Sequence, residues 1–227
     1  MKTLIPIILV IVVVGGIMYF NSNKKASDSE MSSNIPGLTG EEVSKSFEGT
    51  FVFDTEASTA KWTGSKKIIK DYFDTGSIKV KSGFANFSEG RLSGGEVVFD
   101  MNSINGETTP NEKVPVSKLS EHLKSADFFD VEKYPISKLV ITNIEKQSDE
   151  SYLAKANLTI RDITAPIEFT LNVDGSDEKQ IVLETKFNVN RTIYGANFGS
   201  ESLFAELGDK AIKDEFELQI SLVVPQN

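Results

Sequence analysis

The sequence predicts an all-β fold of about eight antiparallel strands with one short helix, preceded by an apolar N-terminal segment and a polar linker. Three observations carry this expectation. From residue 49 onward, apolar residues recur at every second position, the period of half-buried strands. The links between these runs are short and hold turn residues, which favours antiparallel neighbours. A single stretch, within residues 117–142, gives up the two-residue period for helical spacing.

In chain order, residues 4–20, LIPIILVIVVVGGIMYF, carry no charge. As a helix they would span about 25 Å, the short end of a membrane crossing. Lys2 supplies a positive leading region, and no small-x-small cleavage site follows. The reading is an uncleaved signal anchor over 1–22, with the body extracytoplasmic, periplasmic or at the cell surface. Cleavage would make the protein secreted. Residues 23–48 are rich in Ser, Asn, Gly, Lys and acids, so they read as a flexible linker reaching roughly 30 Å. The barrel or sandwich domain then occupies 49–227.

The alternating runs are explicit. Phe51 and Phe53 begin them, and Trp62 follows. Ile78 and Val80 alternate with lysines, and Val97, Phe99 and Met101 share one face. Leu139 and Ile141 come next, then Tyr152, Ala154, Ala156, Leu158 and Ile160. The last three runs place Ile167, Phe169, Leu171 and Val173, then Ile181, Leu183, Phe187 and Val189, then Phe216, Leu218, Ile220 and Leu222 on single faces. Turns are expected at Glu89-Gly90, Asn105-Gly106 and Asp174-Gly175, and a bulge at Gly94-Gly95. So many strands leave a choice between a sandwich and a closed barrel. Closure removes exposed edges, and about eight strands can enclose a small ligand. The short helix is expected over 117–124, with Ser117 as N-cap and Leu119 and Leu123 as an i,i+4 apolar pair. Phe128 and Phe129 would then plug or line one end, and Pro135 would stop the turn before the next strand.

Composition excludes several functions. The net charge is -9, and about -12 without Lys2, Lys24 and Lys25. Such a body repels phosphate, so nucleic-acid binding is not expected. No cysteine and one histidine leave too few ligands for an ordinary zinc or iron site. The acidic loop at Asp174 lacks calcium-loop spacing. No nucleophile motif accompanies the serines, and His122 has no evident catalytic partner. No enzyme, metal or cofactor is expected. Fifteen phenylalanines weigh more. If they surround a cavity, burying about twenty hydrocarbon carbons would yield roughly 16 kcal/mol gross, against about 4–15 kcal/mol for association. If they only fill a core, the domain is a solid barrel.

Several segments resemble the YceI-like family in order along the chain. HLKSADFFDVEKYP (122–135) is the most recognisable. FVFDTEASTAKWTGSK (51–66) is similar to the opening strands, with Asp54, Ser58 and Trp62 in matching places, and GGEVVFDMNSI (94–104) to the strand before the helix. NLTIRDITAPIEF (157–169) is similar to the family hairpin, with Asp162 where glycine is common. NRTIYG (190–195) and the segment after it resemble the final section. The resemblance covers about 51–224. It implies a lipocalin-like antiparallel β-barrel holding an isoprenoid or other long amphiphile, and it supplies no agreed catalytic residues.

On that reading Ile78, Val80, Phe99, Met101, Leu158, Phe169, Leu171, Phe187, Phe216 and Leu218 would line the tail cavity. Phe128 and Phe129 would stand at its end and His122 at the headgroup. The expected partners are a long-chain isoprenoid or fatty lipid and, through the N-terminal helix, a membrane. A homodimer is left open. The alternative is a solid-core barrel serving as an extracytoplasmic protein-interaction module through loops such as 105–116.

Overall fold

The computed structural model describes residues 47–110 and 115–226. The expected anchor over 1–22 and all but the end of the linker lie outside the described residues. Among the described residues no helix is long and apolar enough to cross a membrane.

The strands are β1 (Gly49–Val52), β2 (Asp54–Ser65), β3 (Phe73–Ser88), β4 (Arg91–Thr108), β5 (Ile136–Lys146), β6 (Ser151–Ile160), β7 (Ile163–Asp174), β8 (Gln180–Asn190) and β9 (Glu215–Pro225), with helix α1 (Val116–Lys124) between β4 and β5. Every pairing is antiparallel. From β3 to β9 each strand pairs with its sequence neighbour, β9 returns to β2, and β2 pairs with β3. Eight strands thereby close into a barrel. β1 is an extension of the same wall. It pairs with the far half of β3, while β2 pairs with the near half. The sheet closes on itself, which decides the choice between sandwich and barrel.

Alternation converts directly into an inside and an outside. Ala154, Ala156 and Leu158 on β6 are almost fully buried, as are Ile220 and Val224 on β9, while the intervening Lys155, Asn157 and Gln219 face solvent. Gly76 shows how tightly the wall is packed around the single tryptophan. A Cβ there would lie 1.9 Å from the Asn105 carbonyl oxygen and 2.5 Å from the Trp62 ring. Only glycine lets Trp62 turn inward and donate its indole N–H to that carbonyl at 3.1 Å.

Three local expectations need correction. Asn105-Gly106 is not a turn. β4 runs through it, with Gly106 opposite Gly76. Its missing side chain makes room for Leu119 of α1, whose Cδ2 would meet a Cβ at 3.0 Å. Ser117 is not the N-cap. The helix starts one residue earlier with Pro115 in that place and no side-chain cap. The locked φ of proline sets the entry, and the Pro115 carbonyl accepts from Lys118 and Leu119 N–H. The bulge falls beside Gly94-Gly95. Asn86 faces Gly94 and Phe87 faces Leu92, leaving Ser93 as the extra residue.

The two ends of the barrel differ. At one end lie the β2–β3 connection, the long link carrying α1, the β6–β7 turn and the β8–β9 connection. At the other lie the tight turns. Glu89 and Gly90 both have left-handed φ, 53° and 72°, the geometry of a two-residue hairpin turn, whereas Asp174-Gly175 only opens the β7–β8 connection, whose turn lies at 178–179. Phe47 and Glu48, at the end of the linker, belong to this second end. Phe47 packs against Phe51 and Phe87, each pair of ring centres 5.9 Å apart, and Glu48 accepts the Glu89 N–H at 2.7 Å.

Candidate functional site: an apolar cavity under the helix

Inside the barrel, at the end covered by α1, is a cavity of about 130 Å³. Its walls come from most strands in turn. β2 gives Trp62, β3 Ile78, β4 Phe99 and Met101, β6 Leu158, and β9 Phe216 and Leu218. Leu119, Leu123 and His122 of α1 form its cover with Phe128 and Phe129. The i,i+4 pair Leu119 and Leu123 faces inward, which is why the helix lies flat across the barrel end. Leu123 is buried and Leu119 packs against the core.

Nine of the thirteen candidate residues therefore meet around one space: Ile78, Phe99, Met101, His122, Phe128, Phe129, Leu158, Phe216 and Leu218. Phe169 and Leu171 line a second, smaller cavity of about 40 Å³ nearer the far end, with Val97, Ile220 and Leu222. Consecutive inward residues, Phe99 then Val97 on β4 and Leu218 then Ile220 on β9, line the first cavity and then the second. The two are successive layers of one interior. Val80 is buried but touches neither space. Phe187 also lies outside both. β7 and β8 pair only from Leu171 to Asp174, so the wall parts beyond that point. Phe187 fills the seam by stacking on Phe169, centres 4.7 Å apart and planes 20° apart.

The mouth of the cavity is polar and charged. Lys66, Asp74, Arg191, Lys213 and Glu215 border it, while Ser137 is a buried polar residue of the wall, opposite Phe99. Arg191 is only 3% exposed. Its Nε donates to the Lys213 carbonyl at 3.1 Å, Nη1 to Ala196 at 2.5 Å and Nη2 to Ile212 at 3.3 Å. Burial lowers its pKa, opposed by the nearby charges of Asp214 and Glu201. Asp214 accepts the Ser200 hydroxyl at 2.5 Å. Burial alone would raise its pKa, but the Ser200 and Ser202 hydroxyls and Arg191 together hold it below the usual range. Asp74 goes the other way. Its Oδ1 is buried without a hydrogen-bond partner, and burial raises its pKa against the Thr109 and Tyr72 hydroxyls and the Lys66 charge. His122 stands at the rim, its ring edge-on to Phe128 at 5.0 Å and Phe198 at 4.4 Å, with Nε2 3.8 Å from Asp127.

Trp62, Asp74, Arg191 and Leu119 were not among the expected site residues. Trp62 could have been found, because a lone tryptophan within an alternating strand points to one face. Arg191 could not, because two of the three carbonyls that hold it, those of Ile212 and Lys213, lie more than twenty residues later in the chain. Among the described residues no group of acidic and histidine side chains could hold a metal ion.

A closed antiparallel barrel of eight strands is of the size that side chains fill or that leaves room for one small ligand. Residues 44–224 match the YceI-like domain, and the chain belongs to that family. A UPF0312 protein of Pseudomonas putida is 39% identical over 59 residues, 25% of this chain and 31% of that protein. A UPF0312 protein of Photorhabdus laumondii is 38% identical over 47 residues, 21% and 24%. The matched stretch thus spans less than a third of these relatives. Among solved structures, a polyisoprenoid binding domain from Saccharophagus degradans, implicated in plant cell wall breakdown, superposes with a TM-score of 0.60 at 16% identity, covering 80% of this chain and all of that one. BcnA of Burkholderia cenocepacia gives 0.59 at 16% identity, covering 76% and 99%. At that identity the likeness is one of fold.

Proposed function

We propose that the barrel binds a polyisoprenoid or similar long-chain amphiphile in its interior, as a carrier or storage protein held at an extracytoplasmic membrane face by its N-terminal segment. The observation that supports this reading is the apolar cavity under α1, bounded mainly by aromatic and aliphatic side chains, with its charged groups at the mouth. Membership of the YceI-like family, and the Saccharophagus domain of the same fold described as polyisoprenoid-binding, point the same way. The chemistry required is burial alone. At about 0.8 kcal/mol per CH₂, an apolar tail needs few directional contacts to bind.

Size sharpens the proposal. A cavity of about 130 Å³ holds on the order of five heavy atoms, since an apolar cavity of about 150 Å³ takes one benzene ring. That is about one isoprene unit. A longer tail must displace Phe99 or Leu218 to reach the second cavity, or leave part of itself at the mouth.

The test is native mass spectrometry of the full chain purified in mild detergent, with solvent extraction of the same sample. A lipid in fixed ratio to protein is the expected result. Lipid-free protein whose melting temperature ignores added isoprenoid would sink the proposal in favour of a solid interaction module. A ligand at a hundred times its Kd should stabilise by about 2.7 kcal/mol.

A further inference from the structure

Among the described residues the exposed large hydrophobic side chains are concentrated at one end of the barrel. Ten large hydrophobic residues are exposed among the described residues, and all but Val52 lie at the cavity end. Ile68 and Ile69 belong to the β2–β3 connection and Phe73 opens β3. Ile136 and Ile163 open β5 and β7. Ile193, Phe198, Leu203 and Phe204 belong to the β8–β9 connection. The two connections that carry most of them are fastened together. Lys67 N–H donates to the Ala211 carbonyl at 3.0 Å and Lys213 N–H to Ser65 at 2.9 Å, while Lys67 lies 3.9 Å from Glu201. Phe198 joins this rim to α1 through His122.

Charge follows the same axis. In the connections at the cavity end, acidic and basic side chains cancel. In the tight turns at the far end, Glu89, Asp149, Glu150, Asp177 and Glu178 outnumber Lys179, and of the flanking cations Lys146 pairs with Asp149 at 2.8 Å. One end has no net charge in its connections and gathers exposed apolar side chains around the charged mouth of an apolar cavity. The other is polar and acidic.

We infer that the cavity end docks on a lipid surface. Loop-tip side chains such as Ile68, Leu203 and Phe204 enter the interface, and the mouth opens against the bilayer. A water-exposed mouth would force each methylene of an entering tail across water, at a cost that grows with every group exposed. A docked mouth removes that barrier, so the apolar rim is continuous with the cavity in purpose as well as in place. The acidic far end is turned away by the negative potential of an anionic leaflet. This inference rests on the lipid-binding reading for its purpose, not for its geometry.

The chain has no cysteine, so single labels are clean. The full chain carrying Leu203→Cys, or Ser148→Cys at the far end, is labelled with an environment-sensitive fluorophore and reconstituted in phosphatidylcholine vesicles with brominated acyl chains. Severalfold stronger quenching at 203 than at 148 is expected. Equal quenching at both positions overturns docking. So does a label at 203 that is shielded from an aqueous quencher yet untouched by brominated lipid in a cross-linkable dimer, which would assign this end to a second copy. The triple variant Ile68→Ser, Leu203→Ser, Phe204→Ser should slow lipid exchange between vesicles severalfold while extracted lipid per protein stays unchanged. Unchanged exchange overturns docking as the loading step. Quenching at 203 in protein that never yields lipid would sustain docking and remove the cargo proposal.

Discussion

The guanidinium of Arg191 lies over the ring of Phe128, 5.4 Å from its centre. This contact joins the β8–β9 connection to the segment that follows α1, the two pieces that border the cavity mouth. A second arginine makes a parallel tie. Arg161, on the β6–β7 turn, donates to the Gly195 carbonyl at 2.8 Å and the Phe128 carbonyl at 3.5 Å. The cover of the cavity is therefore held by cations bonded to backbone carbonyls, with apolar packing beneath.

Arg191→Lys should destabilise the protein although it keeps the charge. An ammonium cannot span three carbonyls fixed by a planar fork. Leaving two of them unsatisfied costs about 2–4 kcal/mol. Urea denaturation measures this, and an unchanged midpoint would show that the fork is not what fastens the connection.

Phe128→Ala should cost about 3–5 kcal/mol in ligand-free protein, the range for emptying a buried aromatic site. Phe128→Leu should cost less. If the enlarged void takes up lipid, added isoprenoid should return part of the lost stability to Phe128→Ala, read as a rise in melting temperature with concentration. A variant that folds yet no longer responds to isoprenoid would place Phe128 in binding rather than packing.

Gly76→Ala should be among the most damaging single-methyl additions in the chain. The new Cβ meets backbone at 1.9 Å, not a side chain that can rotate away. A loss above about 3 kcal/mol is expected, accompanied by a changed emission from Trp62, whose ring occupies the same space.

Half-buried Asp74 and buried Asp214 should give opposite pH signatures. Asp74 has a folded pKa above its ordinary 3.8, so the folded state holds its proton longer than the unfolded chain. Stability falls as pH rises from 3.8 through the folded value, and the penalty is complete above it. Asp74→Asn should raise the melting temperature near neutral pH and change it little at about pH 3. Asp214 has a folded pKa below 3.8. Its contribution is present above 3.8 and lost as pH falls through the folded value. Asp214→Asn should destabilise near neutral pH, with the difference shrinking in acid. Denaturation series at several pH values separate the two.

The double variant Phe99→Ala, Leu218→Ala should merge the two interior cavities. Without ligand it should lose several kcal/mol, since each truncation costs about 2–5. With a long isoprenoid it should recover more stability than the parent chain gains, and mass spectrometry should find longer tails bound. Unchanged chain-length preference would mean that the two layers are not joined by a bound tail.

The alternating strands, the side chains that share a face and the short helix were legible in the sequence, while which face turns inward was not. Alternation with period two settles which side chains share a face, and a single i,i+4 pair, Leu119 and Leu123, suffices to lay α1 on the barrel. These are local relations, legible within a dozen residues. Tertiary closure decided the rest. The sequence placed Phe187 on a shared face but could not place it at a seam, because the parting of β7 from β8 is set by where their pairing stops. It read Asn105-Gly106 as a turn, because the need for glycine there comes from Leu119, a residue on another element. It gave no sign of Arg191 or Asp74 at the mouth, because a charged residue looks solvated until distant carbonyls or walls enclose it. The gathering of the exposed hydrophobics at one end also needed the topology. Scattered over the chain, Ile68, Ile163 and Leu203 look like isolated surface residues, and only antiparallel closure brings their connections to the same rim.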